Sequence, residues 1–149
     1  MNMRKLILVS VMIMAAFGLL VAPQTAIAGP DAAPVRLTFD KTLVDPAGVW
    51  QGTIGGDVDG DLTTVLTALE VSGAIWLVEF DWIVDTDDEQ SFTAHLSGIL
   101  NTNTGKVVMN GTVVEGWLLG AQVHEEGQLV DAQTLQFQGT IRIMPQSVG

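Results

Sequence analysis

"AIWLVEFDWIVD", residues 74–85, alternates without a break. Trp76, Val78, Phe80, Trp82 and Val84 fall on one side, and Leu77, Glu79, Asp81, Ile83 and Asp85 on the other. A period of two sends successive side chains to opposite faces of a strand, so the stretch predicts a strand with one dry and one mostly wet face. "SFTAHLSGIL" (91–100) repeats the pattern: Phe92, Ala94, Leu96, Gly98 and Leu100 oppose Ser91, Thr93, His95, Ser97 and Ile99. "TLQFQGTIRIM" (134–144) sets Leu135, Phe137, Gly139, Ile141 and Ile143 against Gln136, Gln138, Thr140 and Arg142. One dry face per strand is the mark of an antiparallel sheet.

Turn signals divide the rest of the chain into similar segments. Strands are expected near 35–43, 48–55, 61–71, 74–85, 91–100, 105–117, 120–126 and 133–144. Between them stand "DPAG", "DVDG", "SG", "DTDDEQ", "NTNTG", "LLG" and "EEGQLVD". No segment after the N-terminal region sustains a helical apolar period, so the fold class is all-β. One motif recurs: "WQGTI" (50–54), "MNGTV" (109–113) and "FQGTI" (137–141). Each glycine shares a face with a bulky residue before it and a branched one after it. Small and large side chains alternating inward suit a tapering closed barrel better than a flat sandwich, where interior glycine only weakens a strand. The expectation is a single closed antiparallel barrel of about eight strands, with Gly52, Gly98, Gly111 and Gly139 removing side-chain volume from its interior. A barrel of that size is either filled by side chains or holds one small ligand.

The in-strand glycines, with "TGKVVMNGTVVEGWLLGAQV" (104–123) and "LQFQGTIRI" (135–143), give the chain from about Gly52 onward a strand rhythm that resembles the allene oxide cyclase and dirigent-like barrels. The resemblance implies an eight-stranded barrel with a largely apolar cavity, and as an activity a cyclase or isomerase. It carries no catalytic residue over to this chain.

The N-terminus reads as an export signal. A basic start, "MNMRK", precedes an apolar run at 6–22 and the small-residue pattern Ala26-Ile27-Ala28. That order predicts a signal peptide over 1–28 cleaved after Ala28, a flexible leader over 29–34 and a barrel domain over 35–149. The expected location is therefore secreted or periplasmic, with no membrane association after cleavage. Loss of Arg4 and Lys5 makes the chain two charges more negative than the −11 of the whole sequence. Such a surface repels phosphate backbones, so nucleic acid is excluded as a partner. The absence of cysteine rules out disulfides and thiol chemistry.

Few residues carry candidate chemistry. Asp57, Asp59 and Asp61 in "DVDGDL" alternate around Gly60, but the spacing of a calcium loop fails: glycine stands fourth and Ala68, not glutamate, stands twelfth. Asp59-Gly60 is instead expected to turn a hairpin. His95 and His124 read as surface residues, and neither a metal nor a cofactor is expected. Glu115 is the one ionisable residue that alternation places on an apolar face, after Val107, Met109, Gly111 and Val113. It is the candidate catalytic acid or base, unless it lies at the barrel mouth or a bulge near Gly116 turns it outward. Trp50, Trp76, Phe80, Trp82, Phe92, Met109, Trp117 and Phe137 are the candidate ligand-binding residues. The reading is an exported small barrel that binds a small apolar molecule or serves as an interaction module, and a homo-oligomer is compatible with it. The alternatives are a cyclase or isomerase, and a purely structural secreted protein with a packed interior.

Overall fold

The computed structural model describes residues 33–146. The signal peptide, most of the leader and the last three residues of the expected domain lie outside that range. Eight strands form one closed antiparallel barrel in sequence order: β1 Val35–Asp45, β2 Val49–Gly56, β3 Gly60–Ser72, β4 Ile75–Asp85, β5 Phe92–Asn101, β6 Lys106–Gly116, β7 Gln122–Asp131 and β8 Gln136–Met144. The seam is β1 against β8, from Val35 opposite Ile143 to Lys41 opposite Phe137. Closure leaves no unpaired sheet edge.

Alternation was the right guide to the faces. Phe80, Trp82, Val84, Phe92, Ala94, Leu96, Phe137 and Ile141 are buried, whereas Gln138 and Arg142 are exposed and Asp81 and His95 half-exposed. Four bulges interrupt it. Val44, Thr67, Val114 and Val130 are each an extra residue in the register of their strand pair. At a bulge two consecutive residues escape the period of two. Val44, Val114 and Val130 accordingly stand exposed. The Val114 bulge also corrects the expectation for Glu115. Val113 points in, Val114 and Glu115 both point out, and Glu115 pairs with Thr93 as an exposed residue.

Two turn readings shift as well. "EEGQLVD" is not a turn: it is the body of β7, which runs on to Asp131, and the turn is residues 132–135. The β2–β3 hairpin turns on Asp57, Val58 and Asp59, one step earlier than Asp59-Gly60, because Gly60 already pairs with Ile54. Val58 is buried in the barrel end, and Asp57 Oδ2 accepts a hydrogen bond from Arg36 N at 2.9 Å.

The repeated glycines are needed for a reason other than cavity volume. Each does lie at an inward register position, yet its missing Cβ would point into the neighbouring strand. At Gly52 it would strike the backbone of Asp40, at Gly98 that of Val108, at Gly111 that of His95 and at Gly139 that of Glu126. A sheet coiled tightly enough to close with eight strands brings adjacent backbones past each other at these points, and only glycine permits the approach. Gly111→Ala should therefore force β5 and β6 apart and cost about 3 kcal/mol or more, beyond the usual range for a surface-sized change. Urea unfolding measures this. Stability within about 1 kcal/mol of wild type would show that the strands tolerate the Cβ.

Candidate functional site

The two ends of the barrel differ. At the end that carries the 57–59, 86–91 and 117–121 connections, Val58, Phe92, Ala121 and partly buried Trp117 and Leu118 fill the interior. The Phe92 and Trp117 rings pack with centroids 6.2 Å apart. At the other end the interior opens into a cavity of about 300 Å³. Its walls include Trp50, Leu66, Trp76, Val78, Phe80, Val107, Met109 and Phe137, with Leu69, Leu129 and Leu135 towards the mouth. Five of the eight aromatic and methionine candidates thus line one cavity: Trp50, Trp76, Phe80, Met109 and Phe137. Trp82 lies beneath it, edge-on to Phe39 with centroids 5.0 Å apart. Phe92 and Trp117 belong to the closed end, as does the exposed Glu115. Inward parity selects all eight but cannot tell height along the barrel.

The mouth is framed by hairpins that use the same device three times. Asp45, Asn101 and Asp131 each end a strand, and each side-chain oxygen accepts the backbone N–H two residues on, from Ala47, Asn103 and Gln133, at 2.9 Å. The four-residue turns 102–105 and 132–135 then end in left-handed backbone. Gly105 supplies it in the first, with φ 76°, and Leu135 in the second, with φ 55°. A leucine there is strained. Trp50 Nε1 donates to Leu135 O at 3.0 Å, which pins the strained residue against the cavity wall.

The chemistry lies deep in the cavity, in two residues outside the sequence-derived candidates. Lys41 is only 4% exposed and Glu125 only 1%, and both line the cavity. They come from β1 and β7, the two strands that flank β8. Lys41 Nζ donates to Thr64 Oγ1 at 3.2 Å. Four rings surround it: Trp82 at 4.5 Å, Phe80 at 4.9 Å, and Phe39 and Trp50 each at 5.7 Å from Nζ to ring centroid. Glu125 Oε1 is buried with no hydrogen-bond partner among the described residues. Burial lowers Lys41 to about 8, against the field of Glu125, which favours the ammonium. Burial raises Glu125 to about 7, with Lys41 opposing the rise and Glu126 adding to it. Both groups thus change charge near neutral pH inside an apolar chamber, a combination typical of functional pockets. Alternation on β1 (Leu37, Phe39, Lys41, Leu43) would have found Lys41, and alternation on an unbroken β7 (Val123, Glu125, Gly127, Leu129) would have found Glu125.

The histidines sit on the outer face. His95 Nδ1 lies 2.8 Å from Asp81 Oδ1 and its Nε2 lies 3.3 Å from Glu79 Oε1, and the hydrogen bond to Asp81 is the main reason that its pKa is raised. His124 bridges Asn110 and Glu126. Among the described residues no group of three His, Asp or Glu side chains is placed to hold a metal ion.

The buried pair should leave a signature in stability. From about pH 4.5 to 7 the folded protein keeps a proton on Glu125 that the unfolded chain has released, so stability falls as pH rises. From about 8 to 10.5 the unfolded chain keeps a proton that folded Lys41 has lost, so stability rises with pH. Urea unfolding across this range should show a minimum between about 7 and 8. Glu125→Gln should remove a falling limb on the order of 3 kcal/mol deep. Parallel acid limbs in wild type and variant would assign the effect elsewhere. No family model, curated protein or solved structure matches this chain.

Proposed function

We propose that the protein is an exported binding protein for one small, mainly apolar molecule that carries a single uncharged hydrogen-bonding head. The observation that carries this reading is the open apolar cavity lined by the buried Glu125, whose Oε1 has no hydrogen-bond partner among the described residues. Ligand sites are mostly apolar with a few placed polar groups. A cavity of about 150 Å³ suffices for benzene, so about 300 Å³ suits a molecule on the order of a dozen non-hydrogen atoms. The apolar body would lie against Trp50, Trp76, Phe80 and Phe137. The head would meet Glu125 and Lys41, which between them offer an acceptor and a donor. The open chamber speaks against a purely structural barrel with a packed interior. A cyclase or isomerase, as the resemblance to allene oxide cyclase and dirigent-like barrels implies, would draw on this same chamber, with Glu125 rather than Glu115 as its carboxyl group.

Cinnamyl alcohol is a probe of suitable size and polarity. Titrating it should change tryptophan emission saturably, because Trp50 and Trp76 line the cavity. Val107→Phe puts a ring into the chamber and should weaken binding at least about tenfold, equal to about 1.4 kcal/mol. Glu115→Gln should leave it unchanged. Absence of a saturable response, or equal loss in both variants, would overturn the reading.

A further inference from the structure

We infer that Lys41 is a covalent capture site for small apolar aldehydes and ketones, which it binds as an imine with Glu125 as the proton carrier. The inference rests on the binding reading above and deepens it by naming the carbonyl group as the ligand's head. Three features of the site carry it. The amine lines an apolar chamber that is open at one end, so a hydrophobic carbonyl compound can reach it and bulk water is poorly represented beside it. Among the described residues its only hydrogen-bond acceptor is the neutral hydroxyl of Thr64, not a carboxylate that would fix it as an ammonium ion. A carboxyl group with an unengaged oxygen lines the same chamber. A desolvated lysine is the side chain that forms such adducts, because burial favours the neutral, nucleophilic amine.

The steps balance without any further reactant. The Lys41 nitrogen lone pair attacks the carbonyl carbon and a C–N bond forms. The C=O π pair moves to oxygen, which takes the proton of the Glu125 carboxyl group. The Glu125 carboxylate then removes a proton from the nitrogen, giving a neutral carbinolamine. The same proton returns to the hydroxyl group, the C–O bond breaks, and one water leaves towards the mouth as the nitrogen lone pair forms C=N. Nothing is oxidised or reduced. The product is a protonated imine whose counter-ion is the Glu125 carboxylate. The four rings that face Lys41 Nζ favour that cation as they favour the ammonium. Glu125 is the charged group that acts on Lys41, and Glu126, exposed on the outer face of β7, acts on Glu125 in turn.

Lys106 provides an internal control, because it is exposed at the start of β6. The exported protein is incubated with cinnamaldehyde and cyanoborohydride near the Lys41 midpoint of about 8. Peptide mass spectrometry then reads a secondary amine as a mass gain equal to the aldehyde less its oxygen, because loss of water removes two hydrogens and reduction restores two. Labelling at Lys41 should saturate with aldehyde, run at least about tenfold faster than at Lys106, and be blocked by cinnamyl alcohol. Glu125→Gln should slow the labelling and move its pH midpoint downward, because the field that holds Lys41 protonated is gone, while cinnamyl alcohol still binds. Lys41→Met should abolish the fast, saturable labelling and leave the slow labelling of Lys106. Should it fail to fold by circular dichroism, the rate ratio and the Glu125→Gln shift decide the matter. Labelling confined to Lys106 and the N-terminus, with cinnamyl alcohol still quenching the tryptophans, would overturn covalent capture and leave the binding reading standing. Failure of both probes would overturn both.

Discussion

An amine held in an apolar barrel sets the terms for everything around it. Removing an ammonium ion from water costs several kcal/mol even after relaxation. Lys41 is met by a hydroxyl group, four aromatic faces and the distant field of a carboxylate. Desolvated cation–π contacts contribute about 2 kcal/mol each at best and do not add freely. The balance still leaves the neutral amine favoured relative to a lysine in water, which is what the lowered pKa expresses. Glu125 obeys the mirror-image argument. Each group makes the other's charge more tolerable, so the two titrations depend on each other rather than belonging to two independent sites.

That arrangement explains the placement of the large rings. Phe39 and Trp82 lie on the closed side of the ammonium, whereas Trp50 and Phe80 face the cavity. Trp50 is tied at one end to the mouth through Leu135 and packs edge-on against Phe80 at 5.4 Å. Strain at Leu135, the caging of Lys41 and the shape of the cavity wall are therefore connected through one indole. The long β3–β4 hairpin extends the same wall outward, where exposed Leu69 and Val71 and half-buried Trp76 face across the mouth. An apolar lip on an acidic protein lowers the barrier for a hydrophobic molecule leaving water.

The fold was legible because a half-buried strand must alternate, and the segments at 74–85, 91–100 and 134–144 do so over enough residues to fix their faces. The exceptions have physical causes. "EEGQLVD" has the composition of a turn, polar and with a glycine, but Gly127 is an inward residue across from Gly139, and the polar residues beside it point outward. Reading it as a turn hid Glu125. A bulge adds one residue without changing composition, so Gly116 in "GTVVEGW" signals that one can occur and turn Glu115 outward but not its place, which is Val114. The in-strand glycines were recognised as barrel features, yet whether a missing Cβ frees interior volume or admits a neighbouring backbone depends on local coiling, which no single strand encodes. Lys41 is hidden for a different reason: charged side chains are so seldom fully buried that composition alone marks it as a surface residue.

The unpartnered carboxyl oxygen bears on what the chamber selects. A pure hydrocarbon would fill the apolar walls but leave Glu125 Oε1 without a hydrogen bond in a drier environment, a loss of about 1–3 kcal/mol. A charged head would have to leave water for a chamber whose only full charges already compensate each other, at a larger cost. An uncharged head that accepts from Lys41 or the protonated Glu125 incurs neither penalty. On the proposed binding reading, the same buried pair that costs the barrel stability would thus disfavour ligands at both extremes of polarity, and a carbonyl compound of modest size lies between them.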